Sequence, residues 1–335
     1  MQTLNIFTNE KDSLPHGKAD FLLAASVTKT NHSNDINLTP TLDAEFITNE
    51  KLFSLKELSQ TLTDLPSPAL ITRAVHNLAP FSTIEILNLG LDVIPKHSTC
   101  HNFGLLPSGS ISEGAKIDVR DVFCKGMDFG KSYELKGNYL ILAEGMACGI
   151  TTAMATALAL GYDCKDDFSS NVEDETVSQT LSLLNSDMTN IEKLSMVSDN
   201  MLIFCAGFLL EASRRFHVVL GGGLQMAVCL LVADKLREDV FMRVKDKNIT
   251  LATTAWVTQN KNSDIAHILS LLSFIPHAVY TPFSFKKASI PVLHKYDEAD
   301  AKDGVGAGAA LAFAHANNLD RDAILEQIEY ILYQM

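Results

Sequence analysis

The pattern of the chain is that of an α/β protein: a mostly parallel, Rossmann-like sheet flanked by helices, with a smaller helical part drawn from the N- and C-terminal segments. Three features lead to this expectation. Short apolar runs bounded by turn residues recur at 21–27, 84–91, 139–143, 217–220, 249–256 and 278–282. Segments with helical periodicity lie between several of them, at 70–78, 176–184, 191–214, 224–244 and 265–274. Two of the strand-like runs end in glycine-bearing turns that lead directly into helices. Alternation of strand and helix over this length implies a parallel sheet covered on both faces.

Taken in order, residues 1–10 mix polar and acidic side chains, without the basic start and apolar core of a signal peptide. The polar stretches 31–40 and 106–115 read as loops, and the second suits a binding loop. The run 139–143 reads as a buried strand that stops at Glu144-Gly145. An alanine-rich helix (Ala153, Ala155, Ala157, Ala159) begins just after Thr151-Thr152, and a polar connection follows at 166–175. The apolar runs 201–210 and 224–233 have about half the ~20 residues needed to span a bilayer, so they read as core helices. Helices at 307–316 and 321–333 follow the last strand. The expected organisation is an N-terminal segment, 1–80, contributing to the small helical part, and a large α/β nucleotide-binding domain, 81–290. Residues 291–335 then complete the small part.

Composition bounds the function. Of 335 residues, 47% are apolar and 20% charged, as in soluble globular proteins. The net charge of −13 argues against nucleic-acid or anionic-membrane surfaces, which need clustered Lys and Arg. Lys286-Lys287 reads as a solvated pair. Six cysteines show no C-x-x-C pair, and no His stands at metal-ligand spacing, which implies a reduced, cytoplasmic setting and no metal. Cys205 and Cys229 read as small hydrophobes within helices. Cys148, in a glycine-bearing turn, reads as packing more than as a reactive thiol.

The candidate chemistry sits in three turns. In the first, Glu144-Gly-Met-Ala-Cys-Gly-Ile-Thr-Thr152, a strand gives way to a helix start whose free N–H groups suit an anion. Glu144 stands at the strand's C-terminal end, where open α/β sheets bind ligands. The second is Val218-Val-Leu-Gly-Gly-Gly223. Its glycines either let backbone approach a ligand or simply make a tight turn. The third, Asp303-Gly-Val-Gly-Ala-Gly308, contains G-x-G-x-G but lacks a preceding strand and a βαβ unit, so the dinucleotide reading fails on context. No Gly-Lys-Ser/Thr occurs, and Asp166-Asp167 is a lone acidic pair. What remains is a phosphate-type site without a metal, with Glu144 and Asp303 beside glycine turns. Either carboxylate could serve as a general base if burial raises its pKa. For Asp303 the alternative is a helix N-terminal acid, worth under ~1 kcal/mol.

With these residues assembled, the chain resembles the nicotinate-nucleotide:dimethylbenzimidazole phosphoribosyltransferase family of cobamide biosynthesis, and a divergent branch of it in particular. The first turn is similar to the family's Glu-Met-Gly-Ile-Gly-Asn-Thr-Thr, and Asp303-Gly-Val-Gly-Ala307 to its Glu-Gly-Thr-Gly-Ala. Pro66-Ser-Pro-Ala-Leu-Ile-Thr-Arg73 and Leu89-Gly-Leu-Asp-Val-Ile-Pro-Lys96 look like features of the branch. The match runs in order over most of the chain.

The resemblance implies transfer of a phosphoribosyl group from nicotinate mononucleotide to a 5,6-dimethylbenzimidazole-like base. The products would be an α-ribazole 5'-phosphate and nicotinate, with no cofactor and a homodimeric assembly. A non-catalytic nucleotide- or cobamide-precursor-binding protein is the alternative. Carried over by position, Asp303 takes the place of the catalytic glutamate and Glu144 that of the second acid, with one residue gapped before Gly149. Gly145, Gly149, Thr151, Thr152, Gly221, Gly222, Gly304 and Gly306 take substrate-binding positions. Asp303 is shorter than glutamate by one methylene, and Ile150 replaces the family's asparagine. An alignment that superimposes Gly-Ala-Ala-Leu-Ala at 308–312 would instead put Val305 at the glutamate position. The family's phosphate loop has no clear counterpart at 168–184, where Ser169, Ser170 and Asn171 are the polar groups available.

Overall fold

Strands of apolar, β-branched residues buried on both faces are the ones that pair in parallel beneath two helical layers. In the computed structural model, residues 6–9, 14–30, 37–54, 66–146, 149–168, 174–298 and 303–335 are described. The strands are β1 (Phe7–Thr8), β2 (Ala19–Ala25), β3 (Thr83–Asn88), β4 (Cys100–Asn102), β5 (Tyr139–Gly145), β6 (Val218–Gly221), β7 (Ile249–Thr254) and β8 (His277–Thr281). They form one sheet in the order β1-β8-β7-β6-β5-β2-β3-β4, and every pairing is parallel.

Alternation along β2 and β5 assigns side chains to two layers. Leu22, Ala24, Leu140 and Leu142 face one cluster, while Phe21, Leu23, Ala25, Ile141 and Ala143 face the other. Against the first face lie α3 (Val119–Ser132), α4 (Ile150–Ala159), α7 (Asn200–Ala212) and α8 (Leu224–Leu236). The second face is covered by α1 (Thr39–Asn49), α2 (Ala69–Leu78), α12 (Ala307–Ala316) and α13 (Arg321–Gln334). Helices from both chain ends thus share one layer, and they pack directly on the sheet. Residues 1–80 also supply β2, at the centre of the sheet.

Two differences from the sequence pattern matter for the site. The run 191–214 is two helices, α6 (Asn190–Val197) and α7, broken at Ser198-Asp199. Asp199 accepts a hydrogen bond from the Leu202 N–H at 2.9 Å, and this cap starts a new helix inside a run that periodicity alone joins. The run 249–256 ends as a strand at Thr254, whose hydroxyl caps the short helix α9 (Ala255–Thr258). The remaining helices are α5 (Asp174–Ser182), α10 (Ile265–Ser270) and α11 (Pro291–Glu298). No helix among the described residues is long and apolar enough to cross a membrane.

Candidate active site

The sheet's strand order reverses between β2 and β5. β3 and β4 continue to one side of this pair, and β6, β7 and β8 to the other. Chains leaving neighbouring strands in opposite directions leave a crevice at the strands' C-terminal ends, where doubly wound folds bind ligands. Pairing of Ala24 with Glu144 and of Ala25 with Gly145 puts the predicted acid at this point.

Glu144 is 4% exposed. Its Oε1 accepts the Gly223 N–H at 3.4 Å, while Oε2 has no partner. Burial first, and then the negative charge of Asp303, push its pKa up to about 8. Gly222 makes room for it. A Cβ there would come within 2.5 Å of the Glu144 carboxyl carbon and of Oε2. The second glycine turn therefore serves the acid of the first.

Asp303 reaches the same crevice from the turn before α12. Gly304, Val305 and Gly306 have φ of +147°, +50° and +69°, three successive positive values. The middle one belongs to a β-branched residue, for which the left-handed region is strained. Hydrogen bonds hold it on both sides: the Val305 N–H donates to the Glu144 carbonyl at 2.9 Å, and the Thr72 hydroxyl donates to the Val305 carbonyl at 2.7 Å. The turn is thereby tied to β5 and α2 at once.

The Asp303 carboxylate is surrounded by donors. Oδ2 accepts from the Thr253 hydroxyl at 2.7 Å and the Thr254 N–H at 3.0 Å. Oδ1 accepts from the N–H groups of Gly304 at 2.8 Å and Gly308 at 3.3 Å. Part of the residue reaches the surface, but its carboxyl lies inward among these groups. Burial raises its pKa to about 6, against the lowering effect of those donors. Of the two acids it ionises first, and its charge then opposes ionisation of Glu144.

The remaining predicted positions divide. Gly149 is the residue before α4, and a Cβ there would meet Met146 Cε at 2.1 Å and Gln225 Oε1 at 2.7 Å. Thr151 and Thr152 are fully buried in the first turn of α4, and the Thr152 hydroxyl donates to Thr30 Oγ1 at 3.3 Å. Gly221 and Gly306 lie against each other. A Cβ on Gly221 would approach the Gly306 Cα to 3.1 Å and the Ala309 Cβ to 2.9 Å, so their missing side chains let α12 settle onto the sheet. A Cβ on Gly145 would press on Leu23. Gly304 is partly exposed beside Asp303. Cys148 and the polar groups Ser169, Ser170 and Asn171 lie outside the described residues.

Sequence reasoning passed over several polar groups here. Thr28 and Thr30, just past β2, share a 2.8 Å hydrogen bond. Asp199 is fully buried with Oδ2 unpartnered, and burial raises its pKa to about 7. Ser198 Oγ and Gln225 Oε1 are unpartnered as well. The signal for Asp199 was present as Ser-Asp-Asn, a helix-start pattern, inside the apolar run. Among the described residues no group of three or more His, Cys, Asp or Glu could hold a metal ion.

Fold and site together define a doubly wound α/β protein with two buried carboxyls at its switch point. That fold is shared with solved structures of the nicotinate-nucleotide-dimethylbenzimidazole phosphoribosyltransferase from Thermus thermophilus. One aligns with a TM-score of 0.57 and 15% identity, covering 93% of this chain and 83% of that one. Another, described as CobT from the same organism, gives a TM-score of 0.55 and 15% identity over 93% and 84%. No family model matches the sequence.

Relatives at higher identity place it more closely. A UPF0284 protein of Sulfolobus acidocaldarius is 32% identical over 308 residues, 88% of this chain and 86% of the relative. One from Methanocaldococcus jannaschii is 31% identical over 315 residues, 90% and 87% respectively. A third, from Microcystis aeruginosa, is 28% identical over 308 residues, 89% and 85%. The chain belongs to the UPF0284 protein family.

Proposed function

We propose that this protein transfers a phosphoribosyl group from nicotinate mononucleotide to a flat nitrogenous base such as 5,6-dimethylbenzimidazole. The observation that carries the reading is the pair of buried carboxyls with raised pKa values at the switch point of a fold shared with that class of transferase. Such pairs, pushed apart by their surroundings, mark acid–base sites.

In this reading a ring nitrogen of the base attacks C1' of the ribose from the face opposite nicotinate. The C1'–N bond to the pyridinium breaks, and its electron pair neutralises the ring as nicotinate leaves. The N–H proton of the base goes to a carboxylate. Positioning of both reactants in line supplies much of the rate.

Roles follow from hydrogen bonding. Asp303 already accepts from four donors, which suits it to hold the turn and keep a negative charge near the reacting centre. Glu144, with a free oxygen, is the better proton acceptor. Its pKa of about 8 leaves it mostly protonated in the free protein at pH 7. A pyridinium beside it favours the ionised form, so binding of the nucleotide releases that proton. As the pyridinium ring loses its positive charge and leaves as the nicotinate anion, the proton affinity of Glu144 climbs again just when the base must give up its own. The N-terminal turn of α4, at Gly149, Thr151 and Thr152, is the proposed anchor for the phosphate.

A second reading, a nucleotide-binding protein without turnover, draws on the saturated Asp303 and on Ile150 in place of the family's asparagine. The test is mass spectrometry of protein incubated with nicotinate mononucleotide and a panel of bases, beside Glu144→Gln and Asp303→Asn. A ribosyl-phosphate product lost in Glu144→Gln supports the transferase. Binding of nicotinate mononucleotide without product from any base supports the second reading.

A further inference from the structure

One motif of the sequence plays no part in the chemistry above: Pro66-Ser-Pro-Ala-Leu-Ile-Thr-Arg73, which leads into α2. Hydrogen bonds tie it to three neighbours. The Tyr296 hydroxyl, on α11, donates to the Pro66 carbonyl, and the Ser67 hydroxyl donates to Asp43 Oδ1 on α1 at 2.6 Å. Arg73 closes the C-terminal end of α1. Its Nη1 donates to the carbonyls of Ile47 at 2.9 Å and Thr48 at 3.0 Å, and its Nε to Glu50 Oε1 at 2.8 Å. Thr72, fully buried, donates to the Val305 carbonyl at 2.7 Å. Through Thr72 the braced helix α2 takes hold of the turn that carries Asp303.

That turn needs holding. Val305 takes a φ of +50°, in the left-handed region that a β-branched side chain opposes, between two glycines of positive φ. Its N–H is held by the Glu144 carbonyl at 2.9 Å and its own carbonyl by Thr72, so a chain of hydrogen bonds runs from α2 through Val305 to β5. The turn is also packed on both sides. A Cβ on Gly306 would meet Ala143 Cβ at 2.7 Å, and one on Gly304 would lie 3.8 Å from Pro68 Cγ, within the same motif. Val305 is buried, so solvent does not replace the Thr72 hydroxyl if it is lost.

The turn decides how the two acids meet. Both flank Gly223: its N–H donates to Glu144 Oε1 at 3.4 Å, and a Cβ there would lie 3.8 Å from Asp303 Cβ. Two of the four donors to Asp303, the N–H groups of Gly304 and Gly308, belong to the turn and the helix it starts. Relaxation of the turn therefore redirects the Asp303 carboxyl. The ionisable groups acting on Glu144 are Asp303 and, from α7, Asp199 and Cys205. Helix α7 covers the face of the sheet opposite α2, so only the Asp303 contribution depends on Thr72.

We propose that Thr72 is a positioning residue of this site: its hydroxyl holds the 304–306 turn in its strained form and so keeps Asp303 against Glu144. The segment 66–73 is then the brace of the acid pair. This role rests on the transferase reading for what the two acids accomplish, and on the geometry of the turn alone for how they are held.

The experiment is a double-mutant cycle on the full chain, by urea denaturation at pH 5 and pH 8. Thr72→Val keeps the shape and removes the hydroxyl, Thr72→Ser keeps the hydroxyl, and each is made with and without Glu144→Gln. The readout is how far the stabilisation by Glu144→Gln, as a ratio of unfolding constants, grows between the two pH values. A fall of one unit in the Glu144 pKa shrinks that growth about fivefold. We expect it to shrink at least fivefold in the Thr72→Val background and to stay within twofold of the wild-type value in Thr72→Ser. A Thr72 that only stabilises the fold would weaken both members of each pair alike and leave the growth unchanged. Unchanged growth in Thr72→Val, equal shrinkage in Thr72→Ser, or no growth in the wild type would overturn the proposal. Should Thr72→Val not fold, Thr72→Ala, which leaves room for water beside the carbonyl, is measured in its place; failure of both assigns Thr72 to folding and overturns the positioning role. Turnover of nicotinate mononucleotide with a panel of bases reports on the transferase reading separately. No transfer by the wild type, with the expected shrinkage, removes that reading and leaves the brace; transfer with unchanged growth removes only the brace.

Discussion

Replacing Glu144 by Gln should stabilise the protein at high pH and leave it unchanged at low pH. The folded-state pKa of Glu144 is about 8, against 4.5 for the exposed group. Between those values the folded state holds a proton that the unfolded state has released. Stability is therefore fully present below about pH 4.5 and falls as pH rises toward 8, by up to ~1.4 kcal/mol per pH unit for one proton. The accumulated cost by pH 8 is on the order of 3–5 kcal/mol.

Gln is nearly the same shape, can still accept from the Gly223 N–H, and does not titrate. Urea denaturation at pH 5, 6, 7 and 8 should show the two proteins diverging steadily, with the variant ahead by a few kcal/mol at pH 8. Transfer activity should fall by ~10²–10⁴, the usual worth of a positioned proton acceptor. Parallel stability curves across this range would refute the claim that Glu144 is buried and unpaired. The same divergence with full activity would refute only its role in proton transfer.

Three further outcomes follow from the geometry. Asp303→Asn exchanges an acceptor oxygen for an NH2 that faces hydrogen-bond donors, so it should destabilise by ~1–3 kcal/mol at pH 7, measured by denaturant midpoint. It should also lower the Glu144 pKa, shifting any pH–rate profile toward acid. Gly222→Ala drives a methyl into the Glu144 carboxyl; a loss of ~1–3 kcal/mol together with weakened nicotinate mononucleotide binding is expected, and unchanged binding by calorimetry would separate the glycine from the site. Binding of nicotinate mononucleotide at pH 7 should release close to one proton, detected as a dependence of binding heat on buffer ionisation enthalpy, and the release should vanish in Glu144→Gln.

Much of the fold was legible because strands in a doubly wound sheet are short, apolar and bounded by turn residues. β2, β3, β5, β6, β7 and β8 all announce themselves this way. β1 and β4, of two and three residues, carry too little pattern, and their pairing depends on longer neighbours. The helix break at Ser198-Asp199 hid inside an apolar run because burial on all sides erases the periodicity that marks a helix end. At the site, Glu144, Asp303 and Gly222 were legible from their turns. Gln225, Thr30 and Thr253 were not, since they come from α8, the loop after β2 and β7, and Asp199 showed only as a helix-start pattern.

Local periodicity and turn chemistry were enough to specify the class of fold, the strand end that carries Glu144 and the turn that carries Asp303. How those two acids differ emerges only once the chain is folded. Whether a carboxylate is free or saturated depends on donors from distant segments: Thr253 and Thr254 reach Asp303 from β7, fifty and forty-nine residues earlier in the chain. Likewise Gly223 gives Glu144 one weak bond across 79 residues and leaves its other oxygen unpaired. A pKa is set by what surrounds the group in space, and no spacing along the chain encodes that.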